Sequence, residues 1–194
     1  MGMIIPMSNR EPNEALKELL AGGEPPELGP GPRKGVLPPQ EIESTVKSAL
    51  ADRKLAPASF ELACSLVLLW HDNLDASHTI SQSVENADGS FVHAIMHRRE
   101  PDYWNSKYWW RRVGKHPCFP EIARRVTTLL ESRGERELLA KLVPGGEWDA
   151  FAFVNACEEA ARDALAGWRE LLREVQRIEF EVLLERFIGV PTRA

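Results

Sequence analysis

Apolar residues recur along most of this chain with the spacing of an α-helix, and this pattern limits the fold more than any other feature. In the segment from about residue 168 to residue 187, Leu171, Val175, Ile178 and Val182 fall on one helical stripe. The alternating pattern of strands is absent, and no solenoid-length repeat is present. With 194 residues and 43% hydrophobic content, the chain can bury one sizeable core. The sequence therefore predicts an all-α fold, a single-domain irregular helix bundle.

Prolines, glycines and capping residues divide this pattern into helices. Asp102 is a suitable N-cap and Gly114 a suitable stop for one of them. The most apolar helix begins at Pro57 and is expected to be central; because neither Gly nor Pro interrupts it, it is predicted to continue through His71 to Gln82. The predicted helices cover residues 39–53, 57–82, 90–99, 103–113, 120–133, 135–142, 147–166 and 168–187.

The first 37 residues are predicted to form an arm outside this bundle. A short amphipathic helix begins at Pro12 and ends at Gly22 and Gly23. Six prolines and several glycines follow in residues 23–39, a composition typical of an extended linker. Residues 1–37 are therefore predicted to be a Pro/Gly-rich arm and residues 38–194 the helical domain.

Charge and cysteine content limit the location and the partners. The net charge of -5 argues against a general nucleic-acid binder, although residues 90–116 hold six Lys and Arg against two Asp and Glu. The three cysteines form no C-x-x-C pair, which favours a reducing compartment without disulfides. The sequence shows neither a signal peptide nor an apolar run that could span a bilayer. We therefore expect a cytoplasmic protein without a membrane partner.

All five histidines fall between residues 71 and 116, which singles out this stretch as a candidate site. At 100° per residue, two sets of polar residues form stripes, each on one side of a predicted helix. If the connecting loop makes the two helices antiparallel, their imidazoles and carboxylates face each other. The first stripe is His71, Asp75, His78 and Gln82, and the second is His93, His97 and Glu100.

Nitrogen and oxygen ligands in this arrangement suit a divalent transition metal such as Zn, Fe, Ni or Mn. Residues three or four apart on a helix can share an ion, whereas residues seven apart stand roughly 10 Å from each other. The preferred ligand set is Asp75, His78, His93 and His97. His71 and Glu100 are then expected to support the ligands or transfer protons, and His116 is expected to be a loop residue or a cap of the preceding helix.

Two function classes fit these residues. In the first, the chain is a metal-binding protein or metal-dependent enzyme, and its cations hold a small anionic substrate. The candidate substrate-binding residues are Arg98, Arg99, Lys107 and Arg111. In the second class, a metal-free module binds a small anion or a protein partner through its Arg- and Trp-rich helix. A zincin protease is excluded, because His93 and His97 lack the Glu of the H-E-x-x-H motif.

The segment from His93 to Pro117 also carries a resemblance. Its two stretches, H-x-x-x-H-R-R-E-P-D-Y and K-Y-W-x-R-R-V-G-x-H-P, resemble those of an uncharacterised family of microbial proteins. The similarity covers about the middle quarter of the chain. It implies that this segment is one functional unit, and it implies neither a reaction nor a cofactor.

Overall fold

A computed structural model describes residue 20 and residues 24–51, 54–162 and 166–189. Over these residues the fold is all-α, as predicted, with nine α-helices, two short 3-10 turns and no strand. The short helix predicted from Pro12 lies outside the described residues, apart from residue 20. The helices are α1 (Pro39–Ala49), α2 (Pro57–Trp70), α3 (Leu74–Ser81), α4 (Ala87–Arg99), α5 (Tyr103–Val113), α6 (Phe119–Ser132), α7 (Arg136–Leu142), α8 (Ala150–Ala161) and α9 (Arg169–Phe187).

Helix α2 is central, as its apolar sequence predicts. Every residue from Leu62 to Trp70 is buried, and the helix packs against α1, α3, α4 and α9. Helix α4 is also buried on all sides from Gly89 onward, and α5 covers it. The C-terminal helix α9 closes the bundle against α2, α6 and α8. None of the described helices combines the length and the apolar character needed to cross a membrane.

The prediction of one continuous helix from Pro57 to Gln82 is wrong, because the helix ends at Trp70 and a second helix begins at Leu74. Asp72 has a left-handed backbone with φ of 61°. Asn73 N–H donates to the Leu68 carbonyl over 2.9 Å, and Asp72 N–H donates to the Leu69 carbonyl over 3.2 Å. This bond pair is the Schellman motif, which usually ends on glycine. Aspartate is one of the few other residues that tolerate this conformation, so no Gly or Pro marks the break.

Helix α4 begins earlier than the predicted start at Ser90. The Asn86 side chain caps the helix by accepting a hydrogen bond from Gly89 N–H over 2.8 Å. Gly89 therefore lies in the first turn instead of the loop. A Cβ at Gly89 would stand 2.0 Å from the Val84 carbonyl oxygen, so the close approach of the preceding loop requires glycine here. By contrast, the predicted bounds of α5 are confirmed, with Asp102 as the N-cap and Gly114 as the stop.

The predicted linker contains bends and a turn but no helix between residues 24 and 38. This segment packs on the bundle, and we call it the strap. Leu28 of the strap belongs to the hydrophobic core. Gln176 Nε2 donates to the carbonyls of Pro26 and Glu27 over 3.0 and 3.2 Å. Arg99 Nη2 donates to the Gly29 carbonyl over 3.1 Å. Polar side chains from α4 and α9 thus provide donors for three backbone carbonyls of the strap.

Candidate metal centre

Helices α3 and α4 bring three of the five histidines together. His78 comes from α3, whereas His93 and His97 lie one turn apart on α4. One candidate ligand atom from each histidine lies within 4.8 Å of the other two. The His78 ring centre is 4.7 Å from that of His93 and 5.3 Å from that of His97. The two polar stripes therefore do meet, through these three imidazoles.

The closest approach in this histidine group is between the two imidazoles of α4. His93 Nε2 lies 3.0 Å from His97 Nε2, and the two rings are nearly parallel at 22°. Two nitrogens bound to one zinc ion at about 2.0–2.1 Å in tetrahedral geometry stand roughly 3.3 Å apart. The two nitrogens are thus within a few tenths of an ångström of the spacing that a shared ion requires.

Glu100 holds the outer nitrogen of His97. Its Oε2 accepts a hydrogen bond from His97 Nδ1 over 3.0 Å, and its side chain is 51% exposed. A carboxylate at Nδ1 fixes the proton on that nitrogen, so the lone pair of Nε2 points toward His93. Metal-ligating histidines commonly have this partner, which orients the ring and raises its basicity.

The surroundings keep the buried imidazoles neutral. Burial, together with His97 and His78, lowers the pKa of His93 to about 3. Burial also lowers the pKa of His97, although the hydrogen bond and the charge of Glu100 oppose this shift. Neutral imidazole is the form that binds metal ions, so both residues are ready to act as ligands near neutral pH.

Helix α5 contributes two side chains that the sequence reasoning did not assign to the site. Trp109 stacks on His93, with ring centres 3.9 Å apart and an interplanar angle of 16°. Asn105, one turn earlier, places its Nδ2 at 3.1 Å from His97 Nε2. The four-residue spacing of Asn105 and Trp109 was a usable signal, because it puts both on the face of α5 that packs on α4.

Two other residues of the first stripe, His71 and Asp75, lie outside the histidine group. The break at Asp72 separates His71 from α3, so His71 does not continue the face of His78. Its buried ring accepts a long hydrogen bond from Leu37 N–H at 3.5 Å. Asp75 lies in the first turn of α3, is exposed, and is not one of the three residues in the group. Its predicted role as a ligand stays a prediction.

The predicted substrate-binding cations occupy different environments. Arg98 and Arg99 are fully buried, and each forms an ion pair of 2.6 Å, with Glu179 and Asp72 respectively. Arg98 therefore joins α4 to α9, and Arg99 joins α4 to the turn that follows α2. Lys107 pairs with Glu158 over 3.4 Å, and Arg111 is exposed on α5.

His116 stays outside the histidine group. It lies in the loop between α5 and α6, as predicted, and its buried ring meets Asp88 through Nε2 over 2.9 Å. Arg186 of α9 binds the same carboxylate over 2.7 Å. These contacts join the start of α4 to the end of α9.

Comparison of the chain with protein-family models, with curated proteins and with solved structures finds no match. The chemistry of the site therefore follows from its own residues. Three converging imidazoles, one of them hydrogen-bonded to a carboxylate, can hold a transition metal ion and leave further coordination positions for other ligands.

Proposed function

We propose that this protein binds a divalent transition metal ion through His78, His93 and His97. The observation that carries the proposal is the convergence of one nitrogen from each imidazole within 4.8 Å in a largely buried site. A hydrogen bond between His93 and His97 explains the close approach of those two rings, but it does not account for the edge-on approach of the His78 ring to both, with ring centres 4.7 and 5.3 Å away.

Two different contacts support the two ligands of α4. Glu100 orients His97 by a hydrogen bond, as described above. His93 Nδ1 is buried and has no hydrogen-bond partner among the described residues, so its ring is held by stacking on Trp109. Both imidazoles are thus positioned before an ion arrives, which reduces the entropy lost on binding.

Imidazole ligands favour Zn, Fe and Ni over Mn. The bound ion would supply Lewis acidity or lower the pKa of a coordinated water. His78 and Asn105 are half-buried, which leaves the site within reach of solvent. On this basis we favour a metal-dependent enzyme for a small anionic substrate, with exposed Arg111 and partly exposed Lys107 as its candidate cations.

Calorimetry and elemental analysis test the metal proposal on the full chain after chelator treatment. We expect one zinc or nickel ion per chain, and we expect His97→Ala to abolish binding. His71→Gln is the matched control, because His71 lies outside the group, and it should retain full metal content. The proposal fails if the native chain takes up none of the four metals, or if His97→Ala keeps its full metal content.

A metal-free interaction module is the second candidate, and the outer face of α5 favours it. Trp104 is 73% exposed and Tyr108 is 40% exposed, with nearly parallel rings 6.5 Å apart. Exposed aromatic rings of this kind suit a partner surface. If this function is correct, the native chain retains a partner protein in an affinity capture and Trp104→Ala does not, whereas chelator treatment leaves the capture unchanged. Loss of the partner on chelator treatment favours the metal-binding function instead.

A further inference from the structure

We propose that Asn105 completes the metal coordination sphere as a ligand through its amide oxygen. This inference rests on the proposed metal site and adds a residue from a third helix to it. The histidines come from α3 and α4, whereas Asn105 lies near the start of α5.

The spacing of the amide carries the inference. The terminal Nδ2 of Asn105 lies 3.1 Å from His97 Nε2, and His93 Nε2 lies 3.0 Å from the same atom. Neighbouring ligands of an ion with bonds of about 2.0–2.1 Å stand roughly 3.0–3.4 Å apart. The end of the Asn105 side chain and the His93 ring are therefore both at ligand spacing from His97.

Metal binding changes what the amide can do. Asn105 Nδ2 stands 3.1 Å from His97 Nε2 and 3.4 Å from His97 Nδ1. Because Nδ1 carries the proton that Glu100 accepts, Nε2 is the acceptor open to the amide N–H. Once the lone pair of Nε2 binds an ion, the amide N–H has no acceptor there and faces a positive charge. A half-turn of the carboxamide exchanges Nδ2 with Oδ1 and places an oxygen lone pair at the same position.

The backbone of Asn105 is held firmly at this place. Its N–H donates to the Asp102 side chain over 3.1 Å, which caps α5. One residue later, the buried hydroxyl of Ser106 donates to the Ala94 carbonyl on α4 over 2.8 Å. Trp109 stacks on His93 one turn further along. The cap holds the backbone at the start of α5, and the contacts of Ser106 and Trp109 fix the helix against α4 directly after Asn105.

A neutral amide is a weak ligand compared with a carboxylate. It leaves the full +2 charge of the ion uncompensated by Asn105, and an incoming anion or water can displace it or add beside it. Asn105 would thus shape the coordination of the resting site without blocking access to the ion.

Cobalt(II) is the probe, because its visible absorption reports the number and kind of its ligands. Cobalt is titrated into the full native chain and into three variants, Asn105→Ala, Asn105→Asp and Asn155→Ala. The last is the matched control, because Asn155 is an exposed asparagine on α8. Circular dichroism of each metal-free variant establishes that it is folded.

We expect Asn105→Ala to change the cobalt spectrum and to weaken binding about tenfold or more. Asn105→Asp should restore an oxygen ligand and tighten binding by about tenfold, because ligand charge raises affinity. Asn155→Ala should match the native chain in both measurements.

Three results would overturn the inference. One is a native cobalt spectrum in Asn105→Ala with native affinity, and another is weakened affinity with an unchanged spectrum, which would place Asn105 outside the coordination sphere. The third is a native chain that binds no cobalt at all; it overturns the proposed metal site and the role of Asn105 with it, whereas the first two leave the metal site standing.

Discussion

The Glu100 carboxylate and the His97 imidazole form a hydrogen bond of 3.0 Å between Oε2 and Nδ1. Because the Nδ1 proton is donated to Glu100, the unprotonated nitrogen of His97 is Nε2. This nitrogen lies 3.0 Å from His93 Nε2. Glu100 and His97 are three apart at the end of α4, so the spacing that aligns them is a property of the helix itself.

Replacing this carboxylate should weaken metal binding without unfolding the chain. Glu100→Gln keeps a hydrogen-bond acceptor for His97 but removes the negative charge, so we expect zinc affinity to fall about tenfold, the low end for groups that support a ligand. Titration calorimetry measures this change. Glu137→Gln, an exposed glutamate on α7, is the control and should bind like the native chain. Equal affinities for both variants would contradict the assigned role of Glu100.

The metal-free protein should lose stability in mild acid because of His93. Its pKa in the folded chain is lowered from 6.5 to about 3, chiefly by burial and then by His97 and His78. Above pH 6.5 His93 is neutral in both the folded and the unfolded chain, so its contribution to the free energy of unfolding is fully present. Between about pH 6.5 and 3 the unfolded chain takes up a proton that the folded chain does not, so the free energy of unfolding falls.

Urea unfolding of the metal-free chain at several pH values between 7.5 and 4.5 measures this effect. Uptake of one proton on unfolding changes the free energy of unfolding by about 1.4 kcal/mol per pH unit. Near pH 5, the slope of this free energy against pH should therefore be smaller in His93→Phe than in the native chain by up to about that amount. Phenylalanine keeps a ring for stacking on Trp109. Identical slopes for the two chains would show that His93 does not titrate in this way.

Asp72 should be essential for stability, because its carboxylate is buried between two arginines. Oδ1 pairs with Arg99 over 2.6 Å and Oδ2 pairs with Arg33 over 3.0 Å. Asp72→Asn keeps a residue that tolerates the left-handed backbone but leaves the buried Arg99 without its counter-charge. We expect unfolding at pH 7 to require about 3 kcal/mol less free energy.

The control for this prediction is Asp75→Asn, three residues later and exposed on α3. Its effect on stability should stay within about 0.5 kcal/mol. Urea unfolding at one pH compares the two variants. A loss below about 1 kcal/mol for Asp72→Asn would mean that other groups compensate for the missing carboxylate.

Gly89→Ala should destabilise the protein, although alanine is the better helix former. The new Cβ would meet the Val84 carbonyl oxygen at 2.0 Å, so either the loop before α4 or the helix start must move. We expect a loss of roughly 2–4 kcal/mol, measured as a lower melting temperature. At Gly167 an added Cβ meets nothing within 4 Å, so Gly167→Ala should melt like the native chain. Equal melting temperatures would refute the steric argument.

Helix periodicity was sufficient to predict the fold class and most of the helices. Helix α5 was predicted to the residue, because its start and stop carry side-chain and backbone signals of their own, Asp102 and Gly114. The break at Asp72 could not be predicted in the same way, since its left-handed backbone is stabilised by Arg99 and Arg33, which are distant in sequence. Tertiary contacts therefore override a local pattern that contains no helix breaker.

The candidate site shows the same division between local and distant causes. His93 and His97 come together through helix spacing alone, and their pairing could be anticipated. The grouping with His78 also depends on the turn from residue 82 to residue 86, whose path the sequence does not specify. Asn105 and Trp109 reach the histidines only because α5 folds back over α4 after Pro101.

The burial of Arg98 and Arg99 likewise depends on partners, Glu179 and Asp72, that lie 81 and 27 residues away in the chain.

The strap has a consequence for the order in which this chain folds. The hydrogen bonds from Gln176 to the carbonyls of Pro26 and Glu27 join residues 150 and 149 positions apart. Closing a loop of that length loses much chain entropy, so such contacts form after the local helix pairs have assembled. The backbone of the strap should accordingly be the last described segment to gain protection from hydrogen exchange during refolding and the first to lose it during unfolding.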